Sequence, residues 1–327
     1  MPALRILTAQ DLRASLTMRE AVPLMGDAFG ALAEGRAVVP GRSGFEMPEG
    51  EGRALLMPVY LPAQEQFGVK IVSLFSGNPA KGLPYIHALM MLADAATGAP
   101  LALMDGAFLT ALRTGAASGL ATDLLARKDA ATVMIFGAGA QSRFQLEGVC
   151  AVRDVRSACV YDTHRGRAEA FVREMSVSVP CPVSVADSPA AAAGADIICT
   201  ATTSTAPVMA AEDVRDGTHI NAIGAYRPEM CELPPRTLVR SLLVVDARAS
   251  VTAEAGDILR AIREEGYSLS SIHAELGEIV TRKKPGRTSA AEVTIFKSVG
   301  NASQDLVAAG RALANAARLG LGTVVEL

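Results

Sequence analysis

The sequence lacks the features that mark several protein classes. It has only five cysteines in 327 residues (Cys150, Cys159, Cys181, Cys199 and Cys231), an odd number with no C-x-x-C spacing. This argues against a disulfide framework or a zinc site and fits the reduced thiols of a cytoplasmic protein. The four histidines form no H-E-x-x-H or comparable cluster, so no metal is expected. The 31 Lys and Arg against 34 Asp and Glu leave a formal charge of −3. The basic excess that a nucleic-acid surface needs is missing, and no nucleic-acid partner is expected. No window approaches the roughly 18 uninterrupted apolar residues of a membrane span, and no membrane partner is expected. Polar Thr8, Gln10 and Asp11 interrupt the N-terminus before a signal-peptide core forms. There is no internal repeat and no low-complexity linker. The Ala-rich stretch 190–195 reads as a short helix end.

What is present is ordinary globular composition, 50% hydrophobic and 20% charged, with length enough for two domains. From about Thr132 onward short apolar runs alternate with helical patterns. The runs are TVMIF (132–136), SACVY (157–161), DIICTA (196–201), HINAIG (219–224), LLVVD (242–246) and VTIF (293–296). Continuous apolar strands of this kind suit a parallel sheet covered on both faces by crossover helices such as RGRAEAFVREM and TAEAGDILRAIREE. The first 130 residues form a different unit. Thr17 and Glu20 make a capping box ahead of an amphipathic stretch over 18–34. A Gly/Pro-rich region from Pro40 to Gly52 precedes four strand-like runs, ALLMPVYL, FGVKIVSLF, IHALMMLAD and PLALMD. GAFLTALRTGAASGLATDLLA then reads as one long helix rich in small residues. A terminal helical stretch, NASQDLVAAGRALANAARLG, is assigned to the first domain by analogy alone.

The sharpest local pattern is Gly137-Ala138-Gly139-Ala140-Gln141-Ser142, directly after TVMIF. The first glycine permits a tight strand-to-helix turn, the second lets backbone approach a pyrophosphate, and the helix N-terminus offers free N–H groups. Ser142 takes the place of the third glycine. The next strand-like run ends at Tyr161, and Asp162 follows 25 residues after Gly137, where an acid can bind the hydroxyls of an adenosine ribose. The same Asp also suits a plain turn. Arg165 is close enough to hold a 2′-phosphate, so NAD(H) is expected and NADP(H) stays open.

Two basic residues stand where the chain should be apolar. Lys70, inside FGVKIVSLF, shares a face with Val72 and Leu74 on period-two alternation. A buried ammonium needs a partner, either an anion of the protein or a substrate. The alternative is a surface lysine on an edge strand. Arg113 follows Leu109 and Leu112 and precedes Thr114-Gly115-Ala116-Ala117. It either clamps a carboxylate or pairs with an acid such as Asp105 or Asp123. Arg42 lies in the Gly-rich VVPGRSGF and could be any solvated loop arginine.

These segments together resemble the ornithine cyclodeaminase/mu-crystallin family. The resemblance is carried by VKIVS, LMDGAFLTALRTGAASGLATDLLA, IFGAGAQS, TATTSTAPV, GTHINAIGAYRPEMCEL, HAELGEIV and TIFKSVGNASQDLVAA, in that order. It implies an α/β fold: a Rossmann doubly wound parallel sheet (116–304) plus an α+β substrate/dimerisation domain (1–115, completed by 305–327), in a homodimer. It implies that Lys70, Arg113 and Arg42 contact a substrate carboxylate and that Thr114 approaches the cofactor phosphates. Further cofactor contacts are implied in the loop Gly137, Ala138, Gly139, Ala140, Gln141 and Ser142. Asp162, Thr163 and Arg165 are expected at the ribose, and Thr202, Asn221, Gly224 and Ser298 complete the set.

One departure bears on chemistry. Ornithine cyclodeaminases resemble G-G-D-x-P after the N-A-x-G strand, where the acid engages the substrate amine. Here the matching position is Tyr226. A substrate with a second, cationic amine would meet no matching anion there, unless Tyr226 is turned away and Glu229 or Glu232 serves the amine. The expectation is therefore NAD(P)H-dependent reduction of a cyclic α-imino acid, Δ1-pyrroline-2-carboxylate or its six-membered homologue. Lys70 is the expected proton donor, with His87 as an alternative or as a core histidine. Ornithine cyclodeamination, alanine dehydrogenation and non-catalytic binding of small hydrophobic hormones are the competing readings.

Overall fold

The computed structural model describes residues 3–47 and 52–326. The chain opens with β1 (Ala3–Leu7), α1 (Ala9–Ser15) and α2 (Met18–Ala33), followed by β2 (Ser43–Met47), β3 (Gly52–Leu61), β4 (Gln66–Phe75), β5 (Ile86–Asp94) and β6 (Pro100–Asp105). The long helix α3 (Gly106–Leu125) leads into β7 (Thr132–Phe136), α4 (Ala140–Val152), β8 (Ser157–Tyr161), α5 (Arg165–Met175), β9 (Val183–Val185), β10 (Ile197–Thr200) and β11 (His219–Ala222). Next come α6 (Pro235–Val239), β12 (Leu242–Val245), α7 (Arg248–Glu254), α8 (Gly256–Glu265), β13 (Ala274–Glu275), α9 (Leu276–Val280), β14 (Thr294–Lys297), α10 (Ala302–Leu319) and β15 (Thr323–Glu326). Two compact units result. The first joins Met1–Arg113 to Asn301–Leu327, the second is Thr114–Gly300, and the boundary falls inside α3.

The first unit is built on a seven-stranded sheet of order β15-β1-β6-β5-β4-β3-β2, in which only β1 and β6 run parallel. Its register sets Met57, Lys70, Met90 and Met104 in one transverse row, and all four are buried. Helix α10 packs over β3, β4 and β5. Its N-terminus is fixed by Asn301, which accepts from Ser303 N while Gln304 returns a bond to Asn301 N. The Thr17/Glu20 capping box likewise starts α2. β1 and β15 carry no strong period-two pattern and do not stand out as strands in the sequence. They close one edge of the sheet as an antiparallel pair.

The second unit is an eight-stranded, all-parallel sheet of order β13-β12-β14-β11-β10-β7-β8-β9, with its order reversing at β7 and β10. This is a doubly wound Rossmann sheet. Alternate residues of β7 enter opposite cores: Met134 and Phe136 pack with Ile198, Ile220 and Ile295, whereas Val133 and Ile135 pack with Leu146, Val160 and Phe171. Both faces are covered, which is why the strands read as unbroken apolar runs. The small residues of α3 have a local cause. A Cβ on Gly115 would lie 2.2 Å from Phe144 O, and one on Gly148 would lie 2.1 Å from Gly115 O. The backbones of α3 and α4 therefore touch.

At three places the structure refines the local reading. The Gly/Pro-rich stretch holds a strand, β2, while residues 48–51 of that stretch lie outside the described residues. TAEAGDILRAIREE is not one helix. It breaks at Ala255, which is extended (φ −78°, ψ 98°), and the next residue, Gly256, lies so close to the carbonyls of Met230 and Arg227 that no side chain would fit there. The 190–195 stretch is a 3-10 turn, Pro189–Gly194.

Candidate active site

The carboxyl ends of β7 and β10, where the sheet order reverses, are where an open α/β sheet binds its ligand. A crevice of about 560 Å³ lies there. Gly137 turns the chain at φ +89°, a left-handed conformation open to glycine, and a Cβ would meet Ala201 O at 2.8 Å. Gly139 is the N-cap of α4 with no side-chain cap, and a Cβ there would point into open space. The first-turn amides of α4 are thus left to a ligand. Arg143 ties the loop from behind by donating to Ala138 O and Gly139 O. Ser142 is fully buried, as close packing at the third-glycine position requires. Its Oγ and the Oε1 of Gln141 have no hydrogen-bond partner among the described residues. A loop of this shape fits a dinucleotide pyrophosphate.

Of the expected cofactor residues, Gly137, Gly139, Asp162, Thr163 and Thr202 line the crevice. Ala138 and Ala140 complete the turn beside them. Asp162 does two things: it lines the crevice, and its two oxygens accept from Ala138 N (2.9 Å) and His164 N (2.8 Å). A carboxylate has about four acceptor positions, so the turn role leaves acceptor capacity on both oxygens. Arg165 does not line the crevice. It is exposed and pairs with Glu169 and Asp187, whereas Arg167 and His164 line the crevice. Positions two apart lie about 200° round a helix, so only one of the two arginines can face the loop. That spacing was visible in the sequence.

Lys70 and Arg113 come together in the first unit. Lys70 is 1% exposed and donates to Asp305 Oδ2 at 2.7 Å. Arg113, also buried, donates through Nε to Asp305 Oδ1 at 3.1 Å and through Nη1 to Gln304 Oε1 at 2.8 Å. The edge-strand reading of Lys70 falls, because the methionine row and α10 bury it. The acid for Arg113 is neither Asp105, which caps Phe108 N, nor Asp123, which pairs with Lys128 and Arg153. It is Asp305 on α10. Burial depresses the Lys70 ammonium to about 8, with Asp305 opposing and Arg113 and Arg42 reinforcing the fall. Arg42 is thus close enough to act on Lys70. Two buried cations share one carboxylate, which leaves positive charge suited to a second, exogenous anion.

Several expected residues are engaged elsewhere. His87 is exposed, and the pairing of Ser73 with His87 and of Lys70 with Met90 puts it on the opposite face of the sheet from Lys70. It is neither a core histidine nor a neighbour of the lysine. Asn221 is fully buried and bonded to Thr122 Oγ1 and His219, whose ring burial drives down to about 3 and so keeps neutral. Its backbone lies in β11 between β10 and β14, so Asn221 is engaged by the sheet as well as by its side-chain bonds. Ser298 donates to Asp246 Oδ2 at 2.8 Å. Thr114 is buried where the second unit begins. Gly224 donates its N–H to Glu232. Tyr226 is half-buried after β11, and the Arg227 guanidinium lies 5.6 Å from its ring centroid. Glu232 cannot serve a substrate amine. It is wholly buried and accepts from Thr200 Oγ1 and from the amides of Thr202, Gly224 and Ala225. Glu229 is exposed and lies 3.8 Å from Arg227. No group of three or more His, Cys, Asp and Glu suited to a metal occurs among the described residues.

A glycine turn between a buried strand and a helix, an acid closing the next strand, and an all-parallel sheet reversing at that point define a dinucleotide-binding Rossmann protein. The family model for the ornithine cyclodeaminase/mu-crystallin family matches residues 4–317, and the chain belongs to that family. It is 36% identical over 323 residues to a Delta(1)-pyrroline-2-carboxylate reductase of Bacillus cereus, covering 98% of this chain and 99% of that one. The structure of Thermococcus litoralis Delta(1)-pyrroline-2-carboxylate reductase in complex with NADH and L-proline superposes with a TM-score of 0.94 at 43% identity, covering 98% and 99% of the two chains. An archaeal alanine dehydrogenase dimer with bound NAD gives 0.92 at 36% identity, covering 99% of each.

Proposed function

We propose that this chain reduces Δ1-pyrroline-2-carboxylate to L-proline with NADH as hydride carrier. The observation that carries this reading is the buried pair Lys70 and Arg113 around a single carboxylate, Asp305. Their excess positive charge, with Arg42 beside it, suits the substrate carboxylate. A clamp of two or more cations orients the ring and converts binding into alignment. The loop Gly137–Ser142 with the amide end of α4 would hold the cofactor pyrophosphate, Asp162 the adenosine ribose, and Thr202 and Gly224 the far end. When bound, the dihydronicotinamide supplies the hydride that adds to the C=N carbon. Lys70 delivers the accompanying proton to the ring nitrogen. Its ammonium, lowered to about 8 by burial, is a better acid than an ordinary lysine and remains charged at neutral pH. With no carboxylate at Tyr226, Glu232 held inside the protein and Glu229 beside Arg227, the second amine of a diamino acid lacks a matching carboxylate at the cyclodeaminase position. That disfavours cyclodeamination.

The relatives 36–43% identical over nearly the whole chain support the imine reading. The second supported reading is alanine dehydrogenation, on the strength of the archaeal neighbour. A homodimer is proposed as well: that neighbour is a dimer, and the first unit exposes Phe45, Tyr60, Ile71 and Leu89. All five cysteines are free, which fits the reducing cytoplasm, and no helix among the described residues is long and apolar enough to cross a membrane.

One spectrophotometric panel tests the function. NADH oxidation is followed with the five- and six-membered cyclic imine acids and with pyruvate plus ammonia, and ammonia release is followed with ornithine. The five-membered imine is expected to give the largest kcat/KM. Ammonia release from ornithine without net NADH turnover, or faster NADH oxidation with pyruvate, would displace the proposal.

A further inference from the structure

A second buried charge cluster lies in the Rossmann unit, and the chemistry above does not use it. Glu232, Asp257 and Lys297 are each fully buried. Glu232 Oε2 accepts from Thr200 Oγ1 (2.8 Å), Gly224 N (2.7 Å) and Ala225 N (3.1 Å), and its Oε1 accepts from Thr202 N (2.6 Å). Asp257 Oδ1 holds the same segment in place by accepting from Glu232 N (2.6 Å) and Leu233 N (2.9 Å). Asp257 Oδ2 forms an ion pair with Lys297 Nζ at 2.8 Å, at the end of β14. One side chain therefore bridges the exits of the neighbouring strands β10 and β11. The fit is tight: a Cβ on Gly224 would lie 2.2 Å from Glu232 Oε1 and 2.4 Å from Thr202 O. The bridge also reaches the phosphate loop. A Cβ on Gly137 would meet Ala201 O at 2.8 Å and Thr202 Cγ2 at 3.1 Å, so the glycine turn rests on the segment that Glu232 holds.

We infer that Glu232 is a positioning residue for the cofactor: it fixes the Ala201–Thr202 exit as the floor under the Gly137 turn and thereby sets dinucleotide affinity. The inference rests on the dinucleotide reading above. It differs from a general structural role because the four bonds are not equivalent. In Glu232→Gln the amide oxygen can take the place of Oε2 and keep three donors satisfied. The NH2 then opposes Thr202 N–H, so the substitution releases Thr202 alone. Charged hydrogen bonds of this kind are worth roughly tenfold or more in an equilibrium.

The test uses the full-length protein and NADH. Fluorescence titration is expected to show Kd for NADH raised about tenfold in Glu232→Gln. The KM for the cyclic imine should stay within about twofold, and kcat at saturating NADH should be largely retained. Amide exchange should accelerate at Thr202 and stay slow at Gly224 and Ala225. Thr200→Val, which removes one donor and keeps the shape, should shift Kd in the same direction by about twofold to threefold and serves if the first variant does not fold. A wild-type Kd in either folded variant overturns the inference, as does equal loss of NADH and imine affinity. Failure of the wild type itself to bind NADH would strike the proposed function instead, and fast exchange confined to Thr202 would still establish the tie.

Discussion

The two units each bury a triad of charges, with opposite excess. In the first, two cations, Lys70 and Arg113, surround one carboxylate, Asp305. In the second, two carboxylates, Glu232 and Asp257, accompany one ammonium, Lys297. The surplus is treated differently in the two places. Six donors of the protein converge on Glu232 and Asp257, five of them backbone amides. The two carboxylates are thus held largely by the protein's own amides, and the cluster acts as scaffold. The surplus cation of the first unit suits a ligand, which is why that triad is proposed as the substrate site. A buried charge thus points to substrate where the protein leaves it unmatched, and to architecture where backbone amides saturate it.

The largest effect that would break this contrast is loss of the site lysine. Lys70→Met is expected to lower kcat/KM for the cyclic imine by about a hundredfold to a thousandfold, with NADH affinity unchanged, because it removes both a carboxylate contact and the proton donor. Full turnover in this variant would make Lys70 architectural. Removing the scaffold cation should act on folding instead. Lys297→Met leaves Asp257 and Glu232 without their counter-charge and should cost about 3–5 kcal/mol in urea unfolding. The pH dependence follows from Glu232, whose proton affinity burial already raises above the carboxylate norm against the pull of Lys297. A raised folded-state value contributes stability below the unfolded value of 4.5 and loses it as pH rises through the folded value. The deficit of the variant should therefore shrink toward acid pH; a deficit that grows there would contradict the assignment. The smallest effect sharpens the rim of the crevice. Arg167→Ala should weaken NADPH about threefold more than NADH, whereas Arg165→Ala should leave the ratio of the two dissociation constants unchanged.

Much of this was legible before any coordinates. The parallel strands, the glycine turn and the out-of-place Lys70 and Arg113 are local patterns, and local patterns survive in sequence. The partners of the buried charges are not local. Asp305 lies 235 residues from Lys70 and 192 from Arg113. In its own segment it passes for a helix first-turn acid. Glu232 stood beside Glu229 as an alternative partner for a substrate amine because nothing in GAYRPEMCEL reveals that amides from two strand exits converge on it. His87 was misread for want of register: only the pairing of Lys70 with Met90 shows that it stands on the other face. The requirement for glycine at position 256 has the same origin, since the carbonyls that crowd it belong to Arg227, Pro228 and Met230.

The central claim is that charged Lys70, beside Arg113, pins a carboxylate. It is tested most directly by the pH dependence of L-proline affinity in the presence of NAD+, in wild type and in Lys70→Arg. Burial lowers Lys70 to about 8, so wild-type affinity should hold below that pH and fall above it as the ammonium is neutralised. In Lys70→Arg the charge persists, and the fall near pH 8 should vanish. Proline affinity that stays level through pH 8 in the wild type, or that falls identically in both proteins, would contradict the account.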